Sequence, residues 1–87
     1  MKTFDLIVSS PDGDLFRGEV QALVVRGTEG ELAILADHIP FITAVVACDA
    51  KIVLPDDSDR IAELDGGLLT VSQNNVTLLS SGVKWKE

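Results

Sequence analysis

The sequence predicts an all-β domain, a small sandwich or barrel, from three observations. Turn-forming clusters recur roughly every eight to twelve residues, the spacing of short strands in such folds. They are Pro11-Asp12-Gly13, Gly27-Thr28-Glu29-Gly30, Pro55-Asp56-Asp57-Ser58-Asp59, Asp65-Gly66-Gly67 and Gln73-Asn74-Asn75. The stretches between them are rich in Val, Ile, Leu and Thr, residues suited to a pleated, half-buried surface. No window long enough for a helix keeps apolar residues at three-and-four spacing without an interrupting Gly or Pro. With 87 residues the chain is read as one domain, residues 1–87.

Phe4, Leu6 and Val8 alternate with Asp5, Ile7 and Ser9, which gives the first strand a strongly apolar face. Val20 to Val25, Glu31 to Leu35, Lys51 to Leu54 and Arg60 to Leu64 read as later strands. Phe41 to Ala50 is rich in Ala and admits a helical reading, but Thr43, Val45 and Val46 are β-branched and favour a strand. Leu69-Thr70-Val71 and Val76-Thr77-Leu78 flank the Gln73-Asn74-Asn75 turn as a hairpin. The basic, polar end from Val83 to Glu87 reads as a short terminal tail. There is no repeat, low-complexity tract or linker.

A chain this short buries little more than ~60% of the surface its unfolded form exposes, so it needs a dense core or a partner. Its hydrophobic share of 46% supplies the core. Fourteen acidic residues against seven basic ones give a net charge of −7. That is the wrong sign for binding a nucleic-acid backbone or for a Lys/Arg-rich helix lying on a membrane. No apolar run is long enough to span a bilayer. The N-terminus lacks the basic flank and continuous apolar stretch of a signal peptide. Cys48, the single cysteine, excludes an internal disulfide and a multi-cysteine zinc site, and is expected to act as a small buried hydrophobe. His38, the single histidine, leaves no second imidazole for a metal or a relay. The expectation is a soluble protein of a reducing compartment.

Asp56, Asp57 and Asp59 crowd one loop, but a calcium loop needs a central Gly and a Glu at its twelfth position, where this chain has Gly67. A solvated acidic turn is expected instead. Asp65-Gly66-Gly67 runs into Leu68 and a strand rather than Gly-Lys-Ser/Thr and a helix, so it reads as a turn and not a phosphate cradle. No serine lies in a Gly-x-Ser-x-Gly elbow, and only His38 could act as a histidine base, so no active site and no cofactor are expected. His38 stands in Ala36-Asp37-His38-Ile39-Pro40, read either as a surface-loop histidine held by its neighbours or as a contact residue. Ile39, Phe41 and Ile42 beside it are apolar groups at an exposed place, which implies core insertion or an interface.

The string Ser10-Pro11-Asp12-Gly13-Asp14-Leu15-Phe16-Arg17-Gly18-Glu19-Val20 precedes Gly27-Thr28-Glu29-Gly30-Glu31-Leu32-Ala33-Ile34-Leu35-Ala36-Asp37-His38-Ile39-Pro40-Phe41-Ile42-Thr43-Ala44. Later come Asp65-Gly66-Gly67-Leu68-Leu69-Thr70-Val71 and Asn75-Val76-Thr77-Leu78-Leu79. Together these resemble the N-terminal domain of the epsilon subunit of F-type ATP synthase, named delta in mitochondria, over about residues 3 to 82. The resemblance implies a flattened β-sandwich of about ten short strands without substantial helix. It implies a non-catalytic rotor subunit of the central stalk, packed against the gamma subunit and set on the membrane ring of c subunits. That implies a peripheral place on the cytoplasmic face of a bacterial inner membrane, with coupling of ion flow to ATP synthesis as the role.

By the same resemblance, the loop from Glu29 through Ile42 approaches the ring. Glu31 and His38 are carried over as ring- or gamma-facing contacts, and Ser10 and Thr43 as gamma-facing ones. Ala33 stands where the family usually has Gly, Ala36-Asp37 where it has Pro-Gly, and Asp65-Gly66-Gly67 where it often has Ser-Gly-Gly. Full members continue into a helical hairpin that resembles a switch, inhibiting ATP hydrolysis and in some members binding ATP. Nothing of it follows Glu87, and Trp85-Lys86-Glu87 does not resemble a tag, so a natural short form without hairpin inhibition or ATP binding is expected. The alternative is a small sandwich with another task. A biotinyl- or lipoyl-type carrier would need a lysine at a hairpin tip, and Lys51 follows Asp49-Ala50 instead. An enzyme with an Asp dyad would need carboxylates held in a cleft.

Overall fold

In a computed structural model, which describes residues 2–37, 39–73 and 75–86, the chain forms ten strands. They are β1 (Phe4–Ser10), β2 (Gly13–Val20), β3 (Ala22–Gly27), β4 (Gly30–Leu35), β5 (Phe41–Val45), β6 (Cys48–Val53), β7 (Asp59–Leu64), β8 (Gly67–Val71), β9 (Asn75–Ser80) and β10 (Val83–Lys86). One ladder runs β10-β7-β6-β3-β5-β8-β9-β1-β2, and β4 pairs with the other edge of β3. β3 meets β5 at a single pair, Gly27 opposite Val45, backed by the Val46 amide donating to the Arg26 carbonyl at 3.0 Å. The ladder folds over at this corner. One layer is β4-β3-β6-β7-β10 (sheet I) and the other is β5-β8-β9-β1-β2 (sheet II).

Period-two alternation decides what lies between the layers. In β1, Phe4, Leu6 and Val8 are buried, as their spacing predicts. Leu23 and Val25, Ile52, Leu64, Leu69 and Val71, and Val76 and Leu78 follow the same rule from both layers. Each such side chain contributes roughly 1.5–3 kcal/mol by leaving water. Cys48 is half-buried against this core.

The two ends of the ladder, β2 and β10, share no backbone pairing and are closed by side chains. Phe16 of β2 meets Trp85 of β10 edge-on, with ring centroids 6.3 Å apart. The Arg60 guanidinium lies 3.8 Å over the Trp85 ring. Aromatic and cation–π contacts thus do at this seam what hydrogen bonds do elsewhere.

Three expectations are corrected. Val20 to Val25 is not one strand: it divides at Gln21 into the end of β2 and the start of β3, which lie in different layers. Gln21 fixes that crossing, its amide donating to the Val53 carbonyl at 2.8 Å and its side chain to the Leu54 carbonyl at 2.8 Å. Phe41 to Ala50 likewise divides after Val45 into β5 of sheet II and β6 of sheet I. The tail expected from Val83 is an edge strand, β10, antiparallel to β7, with Trp85 opposite Ala62. β2 as a strand from Gly13 is an element that the turn and alternation reading left unassigned.

Leu78→Ala should cost about 2–5 kcal/mol, because Leu78 is fully buried and a void replaces it. Thermal denaturation checks this, and an unchanged melting temperature would contradict its burial. Trp85→Ala should cost about 1–3 kcal/mol through lost seam contacts. In the unaltered protein, the fluorescence of this single tryptophan should report seam opening on denaturation.

Candidate functional site: the outer faces of the sandwich

With the inner faces committed to the core, recognition falls to the outer faces, and these differ sharply in chemistry. Outward positions of sheet I include Arg26 and Glu31 on β3 and β4, Asp49 and Lys51 on β6, Asp59 and Glu63 on β7, and Lys84 and Lys86 on β10. Cross-strand partners of opposite sign satisfy much of this charge. Lys86 binds Asp49 at 2.8 Å, and Lys51 approaches Asp59 at 3.5 Å. Asp49 holds the Lys86 ammonium in its charged form and raises its pKa above the usual 10.5.

Sheet II is different. Across β5, β8 and β9 the outward residues are Ile42, Ala44, Leu68, Thr70, Thr77 and Leu79, with Asn75 at the margin. None is charged. Ile42 is 67% exposed, Leu68 44% and Leu79 49%. Leu68 and Leu79 stand directly opposite one another. They floor an open groove of about 640 Å³ whose walls include Pro11, Asp65 and Ser81. Gly66, at φ +99°, and Gly67 form its end. A Cβ on Gly67 would collide with the Leu79 carbonyl, so only glycine lets β8 approach β9 there. Ser80 beneath is buried and donates its hydroxyl proton to the Gly66 carbonyl, which fixes the turn.

The residues singled out from the sequence do not form one patch. Ile42 lies on the charge-free face, opposite Thr70. Phe41 and Thr43 have the inward register, opposite buried Val71 and Leu69; Phe41 is 37% exposed and Thr43 half-buried. Ile39, 78% exposed, lies in the loop before β5, which Asp37 ties to Lys2 at 3.1 Å. His38 lies outside the described residues. Glu31 faces outward on sheet I opposite Arg26, and Glu29 sits in the exposed β3–β4 turn. Ser10 ends β1, and its hydroxyl serves the turn, accepting the Asp12 amide proton at 3.2 Å. Leu68 and Leu79 were not singled out, although Leu68-Leu69 and Leu78-Leu79 carried a signal. In a strand, the second residue of a leucine pair must face the opposite side.

The carboxylates of the acidic stretch from Asp56 to Asp59 are occupied by neighbouring protein groups. Asp56 accepts from the Ser58 amide at 3.0 Å and from its hydroxyl. Asp57, at φ 71°, accepts from Gln21 at 2.7 Å. No group of three ligating side chains that could hold a metal occurs among the described residues. Lys51 is in mid-strand, not at a hairpin tip, so the carrier reading finds no support.

The Ser58 hydroxyl and amide hold the Asp56 pKa below the usual 3.8, and Ser9 and Arg17 do the same for Asp14. Depressed carboxylates lend stability that is present above the ordinary value near 3.8 and lost as pH falls through the lower folded value. Urea midpoints should therefore drop on acidification below that value. Asp56→Asn should make the drop shallower; an unchanged acid limb would contradict the role of these contacts.

Comparison with known proteins fits this geometry. Residues 3–86 match the family described as ATP synthase, Delta/Epsilon chain, beta-sandwich domain. The epsilon chain of the sodium-ion-specific ATP synthase of Acetobacterium woodii is 35% identical over 86 residues, covering 99% of this chain and 65% of that protein. The ATP synthase epsilon chain of Caldanaerobacter subterraneus subsp. tengcongensis is also 35% identical over 86 residues, covering 99% of this chain and 62% of that protein. The chain thus spans a little under two thirds of the length of these relatives. A chain in the Euglena gracilis mitochondrial ATP synthase structure superposes with a TM-score of 0.90 at 18% identity, over 95% of this chain and 53% of that one. One in the Tetrahymena thermophila ATP synthase central stalk and c-ring structure gives 0.78 at 12% identity, over 95% and 66%. These two likenesses bear on the fold. From the family match over nearly its whole length, the chain belongs to the ATP synthase delta/epsilon family, as its β-sandwich domain.

Proposed function

We propose that this chain is a non-catalytic rotor subunit of an F-type ATP synthase. It bridges the gamma subunit and the membrane c-ring and helps couple ion flow to ATP synthesis. The observation that carries this reading is the match of residues 3–86 to the family. The charge-free outer face of sheet II supports it, because its exposed Ile42, Leu68 and Leu79 are apolar surface that a partner would take out of water. In this reading attachment is peripheral, through partner subunits, at the cytoplasmic face of a bacterial inner membrane; among the described residues no helix is long and apolar enough to cross a membrane.

In this role the sandwich works as a rigid spacer. Torque needs a body that does not yield, and a continuous ladder closed at its seam has few soft directions. Ile42 and the face around it serve gamma. Ile39, Glu29 and Glu31 belong to turns and edges that reach toward the ring, and His38, from its place in the sequence, is assigned to the same contact. Neither ATP binding nor hairpin-type inhibition is assigned to these residues.

Size-exclusion chromatography with a gamma-containing catalytic head tests the reading. Co-elution with a dissociation constant of about 1 μM or tighter, roughly −8 kcal/mol, is expected. Failure to associate at tens of micromolar would overturn it. Millimolar ATP should leave the melting temperature of the isolated chain unchanged. A rise of several degrees would reveal a nucleotide site in this domain.

A further inference from the structure

The charge-free face is bordered unevenly, and the border specifies what can cover it. On the β1–β2 side of sheet II the outward residues are Asp5, Ile7 and Ser9 on β1 and Glu19, Arg17 and Asp14 opposite them on β2. Arg17, the one cation in this row, is taken by Asp14 at 2.8 Å. Glu19 accepts from the Thr3 hydroxyl at 2.9 Å and, among the described residues, has no cationic partner. At the groove, Asp65 forms part of the wall and Asp12 follows Pro11, another wall residue. Among the described residues, Asp5, Asp12, Glu19 and Asp65 form no ion pair. Charge on sheet I, by contrast, is partly paired within its own face.

Covering Ile42, Leu68 and Leu79 brings a partner to the edge of these carboxylates and removes part of their water. An acidic partner border would then be repelled, and an apolar one would strand the charges; only a cationic border compensates. We propose that the outer face of β5, β8 and β9 docks a protein surface with an apolar ridge and a basic border. The ridge enters the groove between Leu68 and Leu79, and Lys or Arg side chains stand opposite Asp5, Asp12 and Asp65. The proposal rests on the rotor reading, names the chemistry that gamma must present, and leaves sheet I free for other contacts. Because the whole chain is acidic, the same charges speed the encounter with such a patch.

Association kinetics with the gamma-containing head at about 0.1 M and about 1 M salt, where the screening length falls from about 10 to about 3 Å, test the proposal. The wild-type association rate should fall about tenfold or more at high salt. At low salt, Asp5→Asn/Asp12→Asn should slow association about threefold or more, whereas Glu63→Gln on sheet I should change it less than about twofold. Leu79→Asp should weaken binding about thirtyfold or more at both salts, and Ala33→Asp, the same charge change on sheet I, should not. Circular dichroism and melting confirm that each variant is folded.

A salt-independent rate, or equal effects of Glu63→Gln and the Asp5/Asp12 pair, would overturn the basic border. Equal effects of Leu79→Asp and Ala33→Asp would overturn the choice of face while leaving the rotor reading standing. No binding by the wild-type chain at either salt would overturn the rotor reading, and this inference with it.

Discussion

The fold depends on the corner where Gly27 of β3 pairs with Val45 of β5. Ten short strands could make one long ladder with a face too large to bury. Turning it back on itself there brings the two apolar faces together, so Leu23, Ile52 and Leu64 of one layer enclose Leu6, Leu69 and Leu78 of the other. The turn is tight. A Cβ on Gly27 would lie 3.2 Å from the Leu32 side chain and 3.6 Å from the Ala44 carbonyl. Once the corner is made, the remaining opening is the seam between β2 and β10, and Phe16, Trp85 and Arg60 close it. A domain of this size has little surplus stability, so both closures matter.

The same folding-over creates two outer faces of different chemistry. Sheet I carries opposite charges on β6, β7 and β10 that are partly paired across strands, beside apolar outward residues on β4 such as the exposed Leu35. On sheet II, β5, β8 and β9 carry apolar and hydroxyl groups and no charge, which water solvates poorly. An interface over β5, β8 and β9 removes apolar area from water and meets charge only at its border, whereas one over β6, β7 and β10 must replace the Lys86–Asp49 and Lys51–Asp59 pairs. That energetic difference, more than any single residue, is what the proposed docking on sheet II rests on.

The groove links backbone geometry to recognition. Gly66 and Gly67 are commonplace in a turn, yet here they let β8 lie close against the Leu79 carbonyl, with Ser80 tied beneath. The leucines therefore sit on a closely held floor, so the proposed docking would cost little conformational entropy there. The acidic β6–β7 loop shows the opposite use of charge. Asp56 binds Ser58 within the loop, and Asp57 binds Gln21 and so supports the crossing between layers, while Asp59 at the start of β7 pairs with Lys51.

Much of this was legible in the residues. Alternation in Phe4-Asp5-Leu6-Ile7-Val8 specified the inward face of β1, and Gly- and Asp-rich clusters marked the turns. The leucine pairs at Leu68-Leu69 and Leu78-Leu79 already required one leucine of each pair to face outward. The long match across Gly27 to Ala44 identified the family, though not the face its members dock with. What the tertiary structure alone decided is which layer each strand joins. A period of two states whether a side chain points in or out, but it is the same in both layers. Thus Val20 to Val25 and Phe41 to Ala50 read as single strands, although the chain changes layer at Gln21 and after Val45. Val83-Lys84-Trp85-Lys86 looked like a tail because its partners, β7 and Phe16, are distant in sequence. The outer faces are assembled from strands that only the ladder brings side by side, so their contrast in charge emerges with the fold.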